Sequence, residues 1–280
     1  MATEEKRMRV MFGNWKYIIR NLWYVLPLAV MPAVFLALSH DYTAISAYVK
    51  NFFAGEPRAD FVTFFRALSF VRADGWLGVV YSVLAVVCAV FFGALLLSFT
   101  EKHMRIGKRT PGGCAKQFVG LILPTAGMTL FYLALYEIWA VVLAAVMTAI
   151  SSVSSTPAVY VFDVIAFLFT GFVLIFVVEM FYLWLPCMQI TGFRPYDALV
   201  YSCRLAIGVR RRLIGAIALS FAIATVAVAA LSLLSAYVFL PVVFLLDLFL
   251  FLGFIVRMET VYFETDKIDR EDLIRSYREL

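Results

Sequence analysis

Four carboxylic acids stand inside or at the edge of long apolar runs: Glu137, Asp163, Glu179 and Asp247. An ionised carboxylate at the centre of a bilayer costs about 2.5–3.5 kcal/mol even on the lenient insertion scale, so such a group has to be hydrated, neutral or paired. Glu137 and Asp247 fall near the middles of their runs, Glu179 about one turn before Tyr182 and Trp184, and Asp163 near an outer end. No Lys or Arg occupies the middle of any run. Arg257 follows Asp247 by ten helical positions, about 15 Å along an axis, too far for direct pairing. Two kinds of chemistry fit. Glu137 and Asp247 at matching depth would share a proton or a cation, as coupled carboxylates do, with Glu179 as a third member of an intramembrane proton, cation or substrate site. The plainer alternative, and the expectation here, is that the acids hydrogen-bond to Tyr, Ser or backbone inside a helical bundle.

The elements that must position these acids follow from hydropathy. The 280 residues are 64% apolar and 15% charged, with 27 Phe, 14 Tyr and 5 Trp, and the mean hydropathy is +0.91. Soluble domains carry about 45–50% apolar and about 25% charged residues, so a water-soluble globule and a disordered chain are both excluded. Charge-free runs at Asn21–Ser39, Gly75–Thr100, Gln117–Tyr136, Ile138–Phe162 and Leu213–Leu246 are long enough to supply helices of about 20 residues, the length that crosses a hydrocarbon core. Period-2 alternation is absent, which argues against a barrel. The expectation is an all-α polytopic membrane protein with transmembrane helices near 21–38, 76–99, 120–148, 158–185, 213–234 and 237–257. The last two form a hairpin turning at Ser232–Tyr237, since 213–257 is too long for one crossing.

Basic residues set the orientation through the positive-inside rule. Lys6, Arg7, Arg9, Lys16 and Arg20 precede the first span. Lys102, Arg105, Lys108, Arg109 and Lys116 separate the second from the third, and Arg194, Arg204, Arg210, Arg211 and Arg212 separate the fourth from the fifth. Arg257, Lys267, Arg270, Arg275 and Arg278 end the chain, leaving Lys50, Arg58, Arg66 and Arg72 for the other side. Both termini are expected to be cytoplasmic, in a bacterial inner (plasma) membrane. Cys114, Cys187 and Cys203 then lie toward the reducing side and Cys88 within a span, which disfavours disulfides. A zinc site lacks a C-x-x-C pair, and His40 and His103 fall on opposite sides, so neither a metal nor another cofactor is expected. One alternative reads the first span as a signal peptide cleaved after Ala37 and Ser39, leaving five spans; the amphipathic segment ahead of it is unlike a short basic n-region.

Three segments outside the spans are amphipathic. Residues 1–20 place Met8, Met11, Phe12, Trp15, Ile18 and Ile19 at helical spacing against Arg9, Lys16 and Arg20, the pattern of a cytoplasmic helix in the headgroup region that anchors the first span. The extracytoplasmic loop 39–74 carries two such helices, one over Ile45–Phe53 and one over Phe61–Val71, broken at Ala54–Pro57. A surface float is expected over a cap on the bundle. The segment 196–212 leads into the fifth span, and with 6–20 and 105–118 it suggests a threefold unit of interfacial helix plus hairpin. The tail 259–280 alternates in charge and is expected to be a solvated cytoplasmic helix.

Residues 197–213 read D-A-L-V-Y-S-C-R-L-A-I-G-V-R-R-R-L, with Ala198, Leu199, Ser202, Leu205 and Gly208 in an A-L-x-x-S-x-x-L-x-x-G arrangement. This segment resembles one in poorly characterised bacterial six-helix membrane protein families, including the membrane domain attached to some glycerophosphodiester phosphodiesterases. The resemblance is local to these residues and to the six-helix layout; it implies the membrane fold and no phosphodiesterase activity. Arg210, Arg211 and Arg212, at the foot of the fifth span, are candidate contacts for anionic lipid headgroups, at about 1 kcal/mol each near the surface. Plain positive-inside anchoring is the simpler role.

Enzyme templates fail. Gly107-Lys108-Arg109-Thr110 lacks the upstream glycine of a phosphate loop, and there is no H-E-x-x-H or G-x-S-x-G. No nucleic-acid partner is expected. The functional expectation is therefore a non-catalytic membrane accessory or scaffold acting through protein and lipid contacts, with membrane lipids and a membrane protein as partners. The alternative is a proton- or cation-coupled carrier of a small solute or lipid using Glu137, Glu179 and Asp247.

Overall fold

The computed structural model describes residues 13–56, 58–106, 114–153 and 156–265. The described residues are mostly helical, with no strand among them. A helical segment over residues 13–20 (α1) is followed by α2 (Leu22–Ser39), α3 (Tyr42–Ala54), α4 (Phe61–Leu68), α5 (Trp76–Ile106), α6 (Cys114–Val153), α7 (Thr156–Phe181), α8 (Trp184–Thr191), α9 (Pro195–Ser232) and α10 (Ala236–Thr265). Six of these, α2, α5, α6, α7 together with α8, α9 and α10, are long and apolar enough to cross a membrane. The chain is an all-α polytopic protein.

The six spans close a ring in the order α2, α5, α6, α7, α9, α10, with α10 also touching α5. One end of the ring carries α1, the start of α6 and the end of α10, and is called the terminal end below. The loop end carries α3, α4 and the α9–α10 turn, where α9 stops at Ser232 and α10 starts at Ala236, as the hydropathy predicts. Ser232 is fully buried there and donates its hydroxyl to the Ala229 carbonyl.

Several helices outrun the predicted spans. α6 has 40 residues and α9 has 38, about 60 and 57 Å at 1.5 Å per residue, beyond the roughly 40–45 Å of a bilayer with its headgroups. The predicted interfacial segment 196–212 is therefore the first part of one continuous helix. At the first unit, by contrast, the helical pattern is interrupted at Asn21, whose side-chain amide donates to the Tyr17 carbonyl at 2.9 Å. The first and third suggested units thus differ at their junctions; residues 107–113 of the second lie outside the described ones.

α1 departs from the expected headgroup anchor. Ile18 and Asn14 are essentially unexposed, the Asn14 amide donates to the Gly253 carbonyl at 3.3 Å, and the Tyr17 hydroxyl meets His103 Nδ1 at 2.8 Å. Gly253 lies against the Trp15 ring, at ordinary contact distance from it. The segment packs on α5 and α10 rather than only on lipid; its first residues, 1–12, lie outside the described ones. At the other terminus, the boundary at 258 is displaced. α10 continues to Thr265, with Glu259, Val261 and Tyr262 buried; residues 266–280 lie outside the described ones.

The loop helices form as predicted and are placed differently. Asp41 and Asp60 cap α3 and α4 by accepting from the Ala44 and Thr63 N–H groups, and Gly55, at φ +93°, supplies the left-handed residue that ends α3. α4 packs on α6, and α3 packs on α4 and α9. Phe64 is 1% exposed in a cluster with Trp139, Leu143, Ala144 and Met147 of α6. The Tyr160 hydroxyl of α7 donates to the Phe52 carbonyl at 2.8 Å, and the Tyr42 hydroxyl to the Leu234 carbonyl at 2.5 Å. The expected float is thus a packed part of the bundle, because burying the apolar face against α6 removes it from water more completely than lying on headgroups would.

Candidate functional site

Glu137 on α6 faces the short linker between α4 and α5. Its carboxylate accepts from the Ser69 hydroxyl at 3.0 and 3.2 Å, from the Phe70 N–H at 2.9 Å and from the Val71 N–H at 3.1 Å. Consecutive backbone N–H groups converging on an acid make an anion nest supplied by the chain itself. The neighbouring Tyr136 donates its hydroxyl to the Leu68 carbonyl at 2.8 Å. Beyond the nest, the Arg72 N–H donates to the Ser82 hydroxyl at 3.0 Å, and the Arg72 guanidinium reaches the Leu38 carbonyl at 3.1 Å. One intramembrane acid therefore ties the end of the α3–α4 arm to α6. The arrangement is legible only once the chain is folded, since Ser69 is 68 residues away in sequence.

Asp247 on α10 has a different partner. Its Oδ2 lies 3.5 Å from His40 Nε2, at the junction of α2 and α3. The carboxylate is largely enclosed, near the cluster in which Ala37, Phe239 and Val243 are buried. Glu137 and Asp247 thus each have a local partner at the loop end, rather than the shared proton or cation expected of a coupled pair.

Glu179, the third acid, is 1% exposed and receives Arg210 Nε of α9 at 3.0 Å. The same guanidinium lies over the Phe176 ring, 4.6 Å from its centroid. One of the three candidate headgroup arginines is therefore turned inward to an acid. Arg211 is exposed and Arg212 half-buried, on the stretch of α9 that precedes its apolar part. Charge attraction inside a low-dielectric bundle outweighs a solvated headgroup contact for the arginine that faces the acid.

Sequence reasoning missed the burial of one base, Arg257, and one acid, Glu101, and gave Asp163 no partner. Arg257, read as the end of a span, is only 4% exposed, and its Nη1 donates to the Ala216 carbonyl at 3.2 Å and to the Ser220 hydroxyl at 3.3 Å. Ala216 and Ser220 stand four apart on one face of α9, a small-residue pattern that leaves room for a long side chain from α10. Glu101 is 1% exposed, pairs with Arg105 at 3.2 Å and accepts from the Gln117 amide. Asp163 is also 1% exposed, and neither of its oxygens has a hydrogen-bond donor. It neighbours Tyr48 of α3, whose hydroxyl is held above its ordinary range first by burial and then by this carboxylate.

At the start of α3, outside the spans, Asp41 collects the Thr43 hydroxyl at 2.6 Å, the Ala44 N–H at 3.0 Å and Arg66 Nη2 of α4 at 2.8 Å. Burial opposes its charge, yet these three donors together hold the carboxyl below its ordinary value of 3.8. A depressed pKa stabilises the fold above the unfolded value, and the contribution is lost as pH falls through the folded one. Protection of amides in 42–68, corrected for the intrinsic rate at each pH, should therefore fall as the pH drops below the ordinary aspartate value of about 4. Asp41→Asn should remove that acid step while leaving the helix cap in place. Exchange measured by mass spectrometry at pH 3 and pH 6 reads both; equal acid sensitivity in the variant would assign the loosening elsewhere.

Among the described residues no cluster of three or more His, Cys, Asp or Glu is placed to hold a metal ion. Chemically, the polar groups of the bundle tie helices together in pairs: α6 to the α4–α5 linker, α7 to α9, α9 to α10, α10 to the α2–α3 junction. No family model matches the chain, and neither a curated protein nor a solved structure matches it.

Proposed function

We propose that the chain is a non-catalytic multi-pass membrane protein that serves as an accessory or scaffold, acting through contacts with lipid and with another membrane protein. The observation that carries this reading is the separation of the acids: Glu137 is filled by Ser69, Phe70 and Val71, Glu179 by Arg210, and Asp247 faces His40. With Glu137 and Glu179 already used as fasteners, only Asp247 would be left to hold a coupling ion. The distribution of Lys and Arg supports cytoplasmic termini and a plasma membrane location, and the resemblance at Ala198–Gly208 supports a membrane domain without a catalytic module.

The carrier reading keeps one supporting observation, the buried oxygens of Asp163 and Asp247 that lack a hydrogen-bond donor. Asp247→Asn separates the two. For an accessory, the variant purified in nanodiscs should retain the same stoichiometric membrane-protein partner as the parent, measured by mass spectrometry of everything that co-purifies. A parent that comes alone with a small solute, and a variant that has lost it, would favour the carrier.

A further inference from the structure

The four most exposed Trp and Tyr side chains among the described residues divide between the two ends of the bundle. Trp23 and Tyr196 are 89% and 74% exposed at the terminal end, and Trp76 and Tyr237 are 79% and 91% exposed at the loop end. Bare rings of this kind mark the headgroup layers of a bilayer. The charges beside them differ. Among the described residues, the bases exposed at the terminal end without an acid partner are Lys16, Arg20, Arg194, Arg204 and Arg211, against one exposed acid, Asp197. At the loop end Lys50 and Arg58 stand against Glu56, Asp60 and Asp74. The headgroups at the terminal end therefore meet an excess of positive charge.

Three of those bases belong to the start of α9, which is held on the bundle. Trp184 of α8 donates its indole N–H to the Pro195 carbonyl at 2.7 Å. Ala198, Ser202 and Ala206, spaced four apart, are buried on the inner side. The opposite side carries Tyr196, Val200, Arg204, Ile207 and Arg211 at i, i+4, i+8, i+11 and i+15, all exposed. A solution anion would leave Tyr196 and Ile207 in water, and a plain hydrocarbon layer would strip Arg204 and Arg211 of theirs. A surface that is anionic outside and apolar beneath satisfies both, with the arginine stems lying along the apolar side chains. The same stripe continues through exposed Gly215, Leu219 and Val226 of the apolar part of α9. What covers the span thus covers its foot, which favours lipid over a soluble acidic protein.

We infer that the exposed face of α9 between Tyr196 and Arg211 seats anionic phospholipid of the leaflet at the terminal end, with Arg204 and Arg211 at the charged headgroups and Tyr196 and Ile207 at the top of the acyl chains. The inference rests on the lipid-contacting reading above and revises its residues: Arg204 joins Arg211, and Arg210 is left to Glu179.

The test is native mass spectrometry of the full chain released from nanodiscs of phosphatidylcholine with a minor share of phosphatidylglycerol. The parent should retain phosphatidylglycerol above its share of the disc. Arg204→Gln combined with Arg211→Gln should lower that enrichment about 3- to 10-fold, the range for two headgroup attractions with the other bases still in place. Arg204→Lys combined with Arg211→Lys should keep it, because the charge is retained. Lys50→Gln, at an exposed base of the loop end, should leave it unchanged. All three positions are exposed, so the variants fold as the parent does. A parent that retains phosphatidylglycerol at no more than its share overturns the inference. So does enrichment that survives the double Gln variant, including the case in which that variant instead loses a protein partner, or enrichment that falls as far in Lys50→Gln. Enrichment lost with the protein partner still bound leaves the accessory reading standing; enrichment in a parent that binds no protein removes that reading and leaves this one.

Discussion

Replacing Glu137 by Ala should release the α3–α4 arm from the bundle. The substitution removes the acceptor shared by the Phe70 and Val71 N–H groups and the Ser69 hydroxyl, stranding Phe70 N–H and leaving Val71 and Ser69 only their hydrogen bonds to each other. Hydrogen bonds to a charged acceptor are worth about 1.5–3 kcal/mol each, and they are not additive, so a net loss of about 2–4 kcal/mol is expected. For a chain of this size that corresponds to a fall in Tm of roughly 5–15 °C. Glu137→Gln keeps one acceptor oxygen and should lose about half as much. Tryptophan fluorescence melts in nanodiscs read the stability, and limited proteolysis near Gly55 reads the arm, whose cleavage should rise in the same order. An Ala variant with the parent's melting point and proteolysis pattern would mean that Phe64 and its apolar neighbours hold the arm unaided.

The second large effect is expected at Glu179. Arg210→Ala removes the partner of an acid that is 1% exposed, and breaking a buried pair from one side costs about 3–5 kcal/mol. The Arg210 side chain is 39% exposed, so water screens part of the pair and about 2–3 kcal/mol is the better expectation. The double variant Arg210→Ala, Glu179→Gln should recover most of it, because a neutral amide needs no counter-ion. Arg211→Ala, at an exposed neighbour on the same helix, should change stability by less than about 0.5 kcal/mol. Chemical denaturation in mild detergent compares the four chains. A double variant as unstable as the single one would show that Arg210 acts through its stacking on Phe176.

Hydropathy alone reads the six spans and the α9–α10 turn, because a bilayer demands about 20 apolar residues per crossing and leaves little freedom. Apolar spacing and the break at Ala54–Pro57 also read α3 and α4, whose aspartate caps come into view only in the fold. What hydropathy misreads is where amphipathic segments go. An apolar stripe fits a headgroup layer and a bundle flank equally well, and only the packing of α4 on α6 turns Phe64 inward. The same limit hides the partners of the acids. Asp247 and Glu137 sit at matching positions in their spans, yet their neighbours come from distant parts of the chain, His40 and Ser69 through Val71. Arg257 escapes notice for a related reason: its place in the sequence suggests a span end, whereas α10 runs on to Thr265 and carries it into the core.

The central claim is that the intramembrane acids fasten a closed bundle and do not line a path. Val243 and Leu252 flank Asp247 on α10, and both are fully buried. In a chain with Cys88, Cys114, Cys187 and Cys203 replaced, Val243→Cys and Leu252→Cys should resist a membrane-impermeant maleimide applied from either side of sealed vesicles, while a Cys at exposed Phe53 reacts from one side. Labelling of both buried positions, each from an opposite face, would contradict the claim and make Asp247 part of an alternating route through the membrane.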